Sequence, residues 1–222
     1  MSVSALLAGC TLVPPQDEVS DSGSPEKAAA VGECPWESDG SAAPAADDGT
    51  RTPREATEAI ALSDERFWQL VESIPAAPQA PDFEEASRSL AGCSMGEIVG
   101  FDARLTLALY DLDGPENLAW FEQNDPLGLG FASDDAFLYA RCASVLGGQE
   151  SWASAVEQGT LDWGQDEPDV DGVSERLLWL ALDAALAQGL TEDEYLDLQF
   201  DAIPLSYESG SNKDRWGDAA AI

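Results

Sequence analysis

Histidine is absent from the 222 residues of this chain. That absence removes Ser-His-Asp and Cys-His nucleophilic catalysis, and every zinc or copper site built on imidazole. Lysine is almost missing too, with only Lys27 and Lys213, so 10 bases face 43 acids and the net charge is −33. A surface of that sign repels phosphate backbones, which excludes nucleic acid as a partner. It repels anionic lipid headgroups for the same reason. A basic protein partner, polyvalent cations, or plain solubility in a salty or acidic habitat remain compatible with it. No stretch approaches the roughly 18–20 continuous apolar residues of a membrane span. No run of five or more residues alternates as a half-buried strand does, and neither a phosphate-cradling glycine loop nor a nucleophile motif is present. No cofactor and no metal are expected.

What is present begins with Leu7-Ala-Gly-Cys10. A short apolar run ending in Ala-Gly-Cys is the lipobox pattern of bacterial lipoproteins, in which the cysteine becomes the acylated first residue of the mature chain. The expectation is a protein tethered by lipid on Cys10 at the extracytoplasmic face of the cell membrane. A secretory signal needs a basic start and about 7–15 apolar residues. Residues 1–10 are an incomplete version of that signal, so the reading places the true start upstream. With Cys10 acylated, Cys34, Cys93 and Cys142 can make at most one disulfide, with one thiol over. An oxidising compartment permits such a bridge. Cys34–Cys93 is one candidate pairing, and Cys142, in an apolar helix, reads as a core thiol.

Residues 11–62 are rich in Pro, Ser, Gly, Ala and acids, and read as a disordered acidic tether. About 50 flexible residues span roughly 40 Å. Within them Glu33-Cys-Pro-Trp36 reads as a docked spot. Residues 63–203 carry helical periodicity, predicting one compact all-α domain of about 7–8 helices. Ser63 caps a helix bearing Phe67, Leu70, Val71 and Ile74, and Phe83–Leu90 forms a second. Ser94-Met-Gly-Glu97 is a capping box that opens a long helix. Pro115 starts another, Ser133 caps a largely apolar helix expected to be central, and Glu150–Gln158 follows. Ser174–Gln188 reads as one continuous helix, and Thr191-Glu-Asp-Glu194 as a second capping box. Residues 204–222 read as a loose tail, with Tyr207 and Trp216 able to dock.

The order of several signals resembles a known family. Phe67-Trp68 is followed by Glu97-Ile-Val-Gly-Phe101, by Leu109-Tyr110, by Ser133-Asp-Asp-Ala-Phe-Leu-Tyr-Ala-Arg-Cys142, and by Gly147-Gly-Gln-Glu150 with Trp152 behind it. This pattern resembles an uncharacterised family, domain of unknown function 4240, common in actinobacteria. The resemblance covers roughly residues 63–190. It implies a fold boundary and no activity, and it implies that the lipid tether is an addition to this version of the domain.

The sharpest polar cluster is Asp134, Asp135 and Arg141. Two carboxylates at a helix start could hold a cation or act as an acid/base pair. They also complement the positive end of the helix dipole, which is the structural reading. Asp134 and Arg141 are seven residues apart, about 10 Å along a helix axis, so Arg141 is expected to meet an acid from another helix. Trp68 and Trp152 are the candidate binding aromatics. Aromatics at helical spacing are more often core. Of the adjacent pair Phe67 and Trp68, which point to different faces, one could be exposed as the start of a binding surface. Glu167-Pro-Asp-Val-Asp-Gly172 has the look of a calcium loop, but Leu178 stands where an EF-hand needs Glu. These readings favour a surface-tethered, non-catalytic interaction domain. The alternatives are a carboxylate-based enzyme acting on cell-envelope glycan, and an acidic immunity-type protein that blocks a basic toxin.

Overall fold

The computed structural model describes residues 31–40, 42–44, 49–75, 78–124, 133–161 and 173–217. The lipobox with Cys10 and the calcium-like loop at 167–172 lie outside the described residues. Ten α-helices and one 3₁₀ segment make up the regular structure, and no strand occurs among the described residues. The helices are α1 (Pro53–Ile60), α2 (Asp64–Val71), α3 (Ala80–Leu90), α4 (Met95–Leu112) and α5 (Pro115–Gln123). They continue with α6 (Asp134–Leu146), α7 (Gln149–Gln158), the 3₁₀ segment Val173–Trp179, α8 (Leu180–Ala187), α9 (Glu192–Ala202) and α10 (Lys213–Trp216). The all-α expectation holds.

The helix starts lie where the sequence marks them. Ser63, Ser94, Ser133 and Thr191 each accept a hydrogen bond from the backbone N–H three residues on. Glu97 and Glu194 complete reciprocal capping boxes, satisfying donors that a helix start otherwise leaves open.

The centre of the molecule is α4, with 15 of its 18 residues buried. Helices α1, α2, α6, α7, α8 and α9 all pack against it. The apolar α6 is therefore a flank of the core and not its axis. A helix enclosed on every side must bury polar side chains as well as apolar ones, and α4 buries Glu97, Asp102, Arg104 and Thr106. Glu97, Asp102 and Arg104 are met by partners from the surrounding layer.

Three boundaries differ from the sequence reading. First, structure begins before residue 63. Thr52 caps α1 in a capping box with Glu55, and Pro53 occupies the first helical turn. Its inward residues are the small Ala56 and Thr57, too slight to register as apolar periodicity. Residues 32–39 are docked as well. Cys34 is joined to Cys93, and Gly32 N–H donates to the Arg88 carbonyl at 2.9 Å. The backbone comes so close at Gly92 that a Cβ there would stand 2.5 Å from both Cys34 N and the Gly32 carbonyl oxygen.

Second, the stretch read as one helix over 174–188 winds first as 3₁₀ and then as α. Ser174, Leu177 and Leu180 are buried at intervals of three, the period that a 3₁₀ turn places on one face. The Ser174 hydroxyl fixes that face by donating to the Tyr139 carbonyl at 3.0 Å. Third, residues 204–217 are not a loose tail. Ile203, Asn212 and Trp216 are buried, and α10 forms within the segment. Helices α1 and α10 account for the excess over the expected seven or eight.

Candidate functional site

Four polar centres and one surface cleft hold the groups able to do chemistry. The first centre is Glu97, whose side chain is 2 % exposed. Its carboxylate accepts from Trp36 Nε1 at 2.9 Å, Arg66 Nη1 at 3.1 Å, Ser94 N at 2.9 Å and Ser94 Oγ at 2.6 Å, and from the Ser38 hydroxyl. Burial pushes the carboxyl up. The hydrogen bonds from Ser38, Ser94 and Trp36 outweigh it and hold the pKa down at about 2. Gln69 Nε2 adds a bond to the Pro35 carbonyl at 2.8 Å, and the Arg66 guanidinium lies 5.9 Å from the Trp36 ring centre. One carboxylate thus starts α4 and clamps residues 34–39 across it. Cys34, Cys93 and Glu97 present ligand-type atoms within 4.8 Å of one another. The two sulfurs are bonded to each other, so they offer no thiolate to a metal.

The second centre is Asp102, buried at the middle of α4. It accepts from the Tyr195 hydroxyl at 2.9 Å and from Gln199 Nε2 at 2.8 Å, both on α9. Burial raises its pKa to about 6, and the two hydrogen bonds only partly oppose that. Burial likewise drives the Tyr195 phenol well above its ordinary value, and the neighbouring Asp102 adds to the shift.

The third and fourth centres share one strand of chain. Asp113, at the C-cap of α4, is fully buried. It accepts from Gly210 N at 3.0 Å, Asn212 N at 2.8 Å, Ser211 Oγ at 3.3 Å and Trp216 Nε1 at 2.9 Å. Arg141 on α6 is also fully buried. It donates to the carbonyls of Leu109 at 3.1 Å and Tyr207 at 2.8 Å and to Ser209 Oγ at 3.3 Å, and stands 4.8 Å from the Phe137 ring centre. Its Nε has no acceptor among the described residues. Burial lowers the Arg141 pKa, and the field of Asp113 opposes that. A buried cation and a buried anion therefore grip successive parts of the 207–216 segment.

This arrangement corrects the expected site. Asp134 and Asp135 are exposed at the start of α6, while Arg141 points into the core. Among the described residues the link is indirect, through Ser209, whose hydroxyl also donates to the Asp134 carbonyl at 3.3 Å. Arg141 takes carbonyls and a hydroxyl instead of an acid from another helix. The candidate aromatics are core residues and offer no exposed ring for a binding surface. Phe67 and Trp68 are both buried, because α3 and α4 pack on α2 and Trp152 closes over Trp68 with ring centres 5.6 Å apart. Trp152 is half-buried and donates from Nε1 to the Ala108 carbonyl at 3.0 Å. The neighbours named from sequence do meet, but as a core layer with Arg104 5.5 Å from the Phe67 ring centre and 5.4 Å from that of Trp152.

A cleft of about 360 Å³ lies where α1, α2 and α4 meet. Arg54 enters it as a fork on Asp111, with contacts of 2.6 and 3.4 Å, and bonds Glu58 at 2.8 Å. Arg104 meets Asp64 at 2.7 Å on the same wall. The Asp111 partner, helped by Glu58, raises the Arg54 pKa further above its already high value. Each guanidinium in the cleft is thus paired with a carboxylate of the protein.

Fold and site together define a class: an all-α domain wrapped around one buried helix, whose acidic side chains fasten the flanking segments. The chain belongs to the family described as protein of unknown function (DUF4240), whose model matches residues 62–184. No curated protein and no solved structure matches the chain. Helices α1, α9 and α10 and the docked 32–39 segment lie outside the matched residues. Glu97, Asp102 and Asp113 thus sit in or at the end of a matched helix and take part or all of their partners from beyond the match. Sequence reading recognised Glu97 only as a cap. The signal for the other two was there: an acid within Phe101-Asp-Ala-Arg-Leu105 on an apolar helix, and an acid directly before Gly114-Pro115.

Proposed function

We propose that the protein is a lipid-anchored, non-catalytic binding domain, held by Cys10 at the extracytoplasmic face of the cell membrane and engaging a basic protein partner. One observation carries the non-catalytic part. The buried carboxylates Glu97, Asp102 and Asp113 each hold structural donors, and the candidate aromatics Trp68 and Trp152 are packed together in the core. A glycosidase needs two carboxyl groups facing each other across an open cleft at about 5–9 Å, with one free to donate its proton. The Cys34–Cys93 disulfide supports the address, since such bonds persist in oxidising compartments outside the cytoplasm. No described helix is long and apolar enough to cross a membrane. In this reading the lipid on Cys10 supplies the attachment.

The test uses the full chain carrying Cys10→Ser, incubated with washed cell envelopes and with purified cell-wall glycan. Co-sedimentation with envelopes, lost at high salt, and no release of reducing sugar ends is the expected result. Release of reducing ends that a carboxylate-to-amide substitution abolishes would establish the enzymatic reading instead.

A further inference from the structure

Helix α9 presents two ridges to solvent, one apolar and one acidic. Its inner face is fully engaged: Tyr195 and Ala202 are buried, and Tyr195 and Gln199 both hold Asp102. Its outer face carries Leu196 and Phe200 four residues apart, on one line along the helix. Leu196 is 41 % exposed and Phe200 85 %. The adjoining line is Asp193, Asp197 and Asp201, all exposed, with Glu192 extending the apolar line at its N-terminal end. The acidic ridge runs about 12 Å and the apolar pair about 6 Å beside it. No basic residue occurs in α9.

We propose that this face docks a basic amphipathic segment of a partner protein, with apolar side chains seated on Leu196 and Phe200 and Lys or Arg along the aspartate ridge. The proposal rests on the binding reading given above and names its surface. Charge complementarity selects the occupant. A second copy of this chain would bring the same aspartate ridge against itself, and anionic lipid would meet the same repulsion. The helix is pre-organised for the task. The Thr191–Glu194 capping box fixes its start and two hydrogen bonds to Asp102 fix its body, so little ordering cost remains on binding. Aromatic residues, Phe included, are enriched at protein interfaces, inside a polar rim.

The probe is a fluorescein-labelled helical peptide of leucine and lysine in amphipathic order, compared with a lysine and glutamine peptide of equal length and charge. Binding to the full chain carrying Cys10→Ser is read by fluorescence anisotropy at physiological salt. The leucine-containing peptide is expected to bind more tightly. Phe200→Ser is expected to weaken it at least tenfold, Phe200→Trp to retain it, and Asp197→Asn with Asp201→Asn to weaken it and flatten its salt dependence. Melting temperatures of all variants should match the parent, because these side chains are exposed. Equal binding by Phe200→Ser, or equal binding of the two peptides, would overturn the proposal. So would a homodimer, or binding to anionic vesicles, that Phe200→Ser abolishes. Envelope binding that survives Phe200→Ser would sink the α9 surface and leave the tethered binding domain standing.

Discussion

Asp102→Asn should make the protein more stable at neutral pH, although it removes a buried, doubly hydrogen-bonded carboxylate. Asp102 ordinarily titrates at 3.8, and burial carries it to about 6 in the fold. Between those values the unfolded chain has released its proton while the folded chain still holds it. Rising pH therefore favours unfolding. The contribution of the group is complete below pH 3.8 and gone above about 6. At 1.36 kcal/mol per pH unit, two units correspond to about 3 kcal/mol. Asparagine keeps the shape and an oxygen able to accept from Tyr195, yet never has to carry charge beside Tyr195 and Tyr207. At pH 7.5 the variant should gain about 2–3 kcal/mol, and near pH 4 it should equal the parent or fall slightly below it. For a domain of this size that is about 5–10 °C in melting temperature. Melts of both proteins at pH 4.5, 6 and 7.5 isolate the effect, because every other carboxylate titrates in both. A difference that does not change with pH, or an asparagine variant less stable at pH 7.5, would refute the reasoning.

Glu97→Gln should act in the opposite sense. Its folded carboxyl sits at about 2 against an ordinary 4.5, so its stabilisation is present above 4.5 and lost as pH falls through about 2. Allowing for screening at the rim beside Arg66, urea unfolding should show a loss of about 1–2 kcal/mol at pH 7 that shrinks towards pH 2; a loss that is the same at both ends would contradict the clamp. Cys93→Ser opens a link spanning 59 positions and should cost about 2–4 kcal/mol in urea, with dithiothreitol reproducing the loss in the parent but not in the variant. Asp113→Ala strands several buried donors of the 210–216 segment and should cost about 3 kcal/mol or more. Amide hydrogen exchange should then rise first at Gly210 and Asn212, and uniform exchange across the domain would speak against a local clamp.

Much of this fold was legible because it obeys local rules. Ser63, Ser94, Ser133 and Thr191 mark helix starts through their own side chains, and the Phe67–Ile74 and Ile98–Leu109 patterns mark buried faces. The illegible parts depend on distant partners. Helix α1 was hidden because Ala56 and Thr57 bury a face too small to show as periodicity. Segment 207–216 looked loose because its apolar anchors are few, chiefly Tyr207 and Trp216, and its backbone is held by Asp113 and Arg141, about 70–100 residues earlier in the chain. Arg141 and the Asp134–Asp135 pair looked like one cluster because they share a helix, but the start of α6 faces water where its middle faces the core. Trp68 and Trp152 meet in the core, the commoner place for aromatics at helical spacing, where Arg104 and Phe67 complete a layer that periodicity on α2 alone does not reveal. The α9 ridges were legible in sequence only as a capping box followed by Tyr195 and Leu198, of which Tyr195 turns inward.

Mass spectrometry of the mature protein, isolated from its native cells with the gene at its own locus, tests the central claim most directly. The tether reading requires an N-terminal peptide beginning at Cys10 and carrying diacylglyceryl and acyl groups, in the detergent-soluble membrane fraction. Cys10→Ser should shift the protein out of that fraction. A chain that retains residues 1–9 with an unmodified Cys10 thiol, recovered from the cytoplasm, would contradict it.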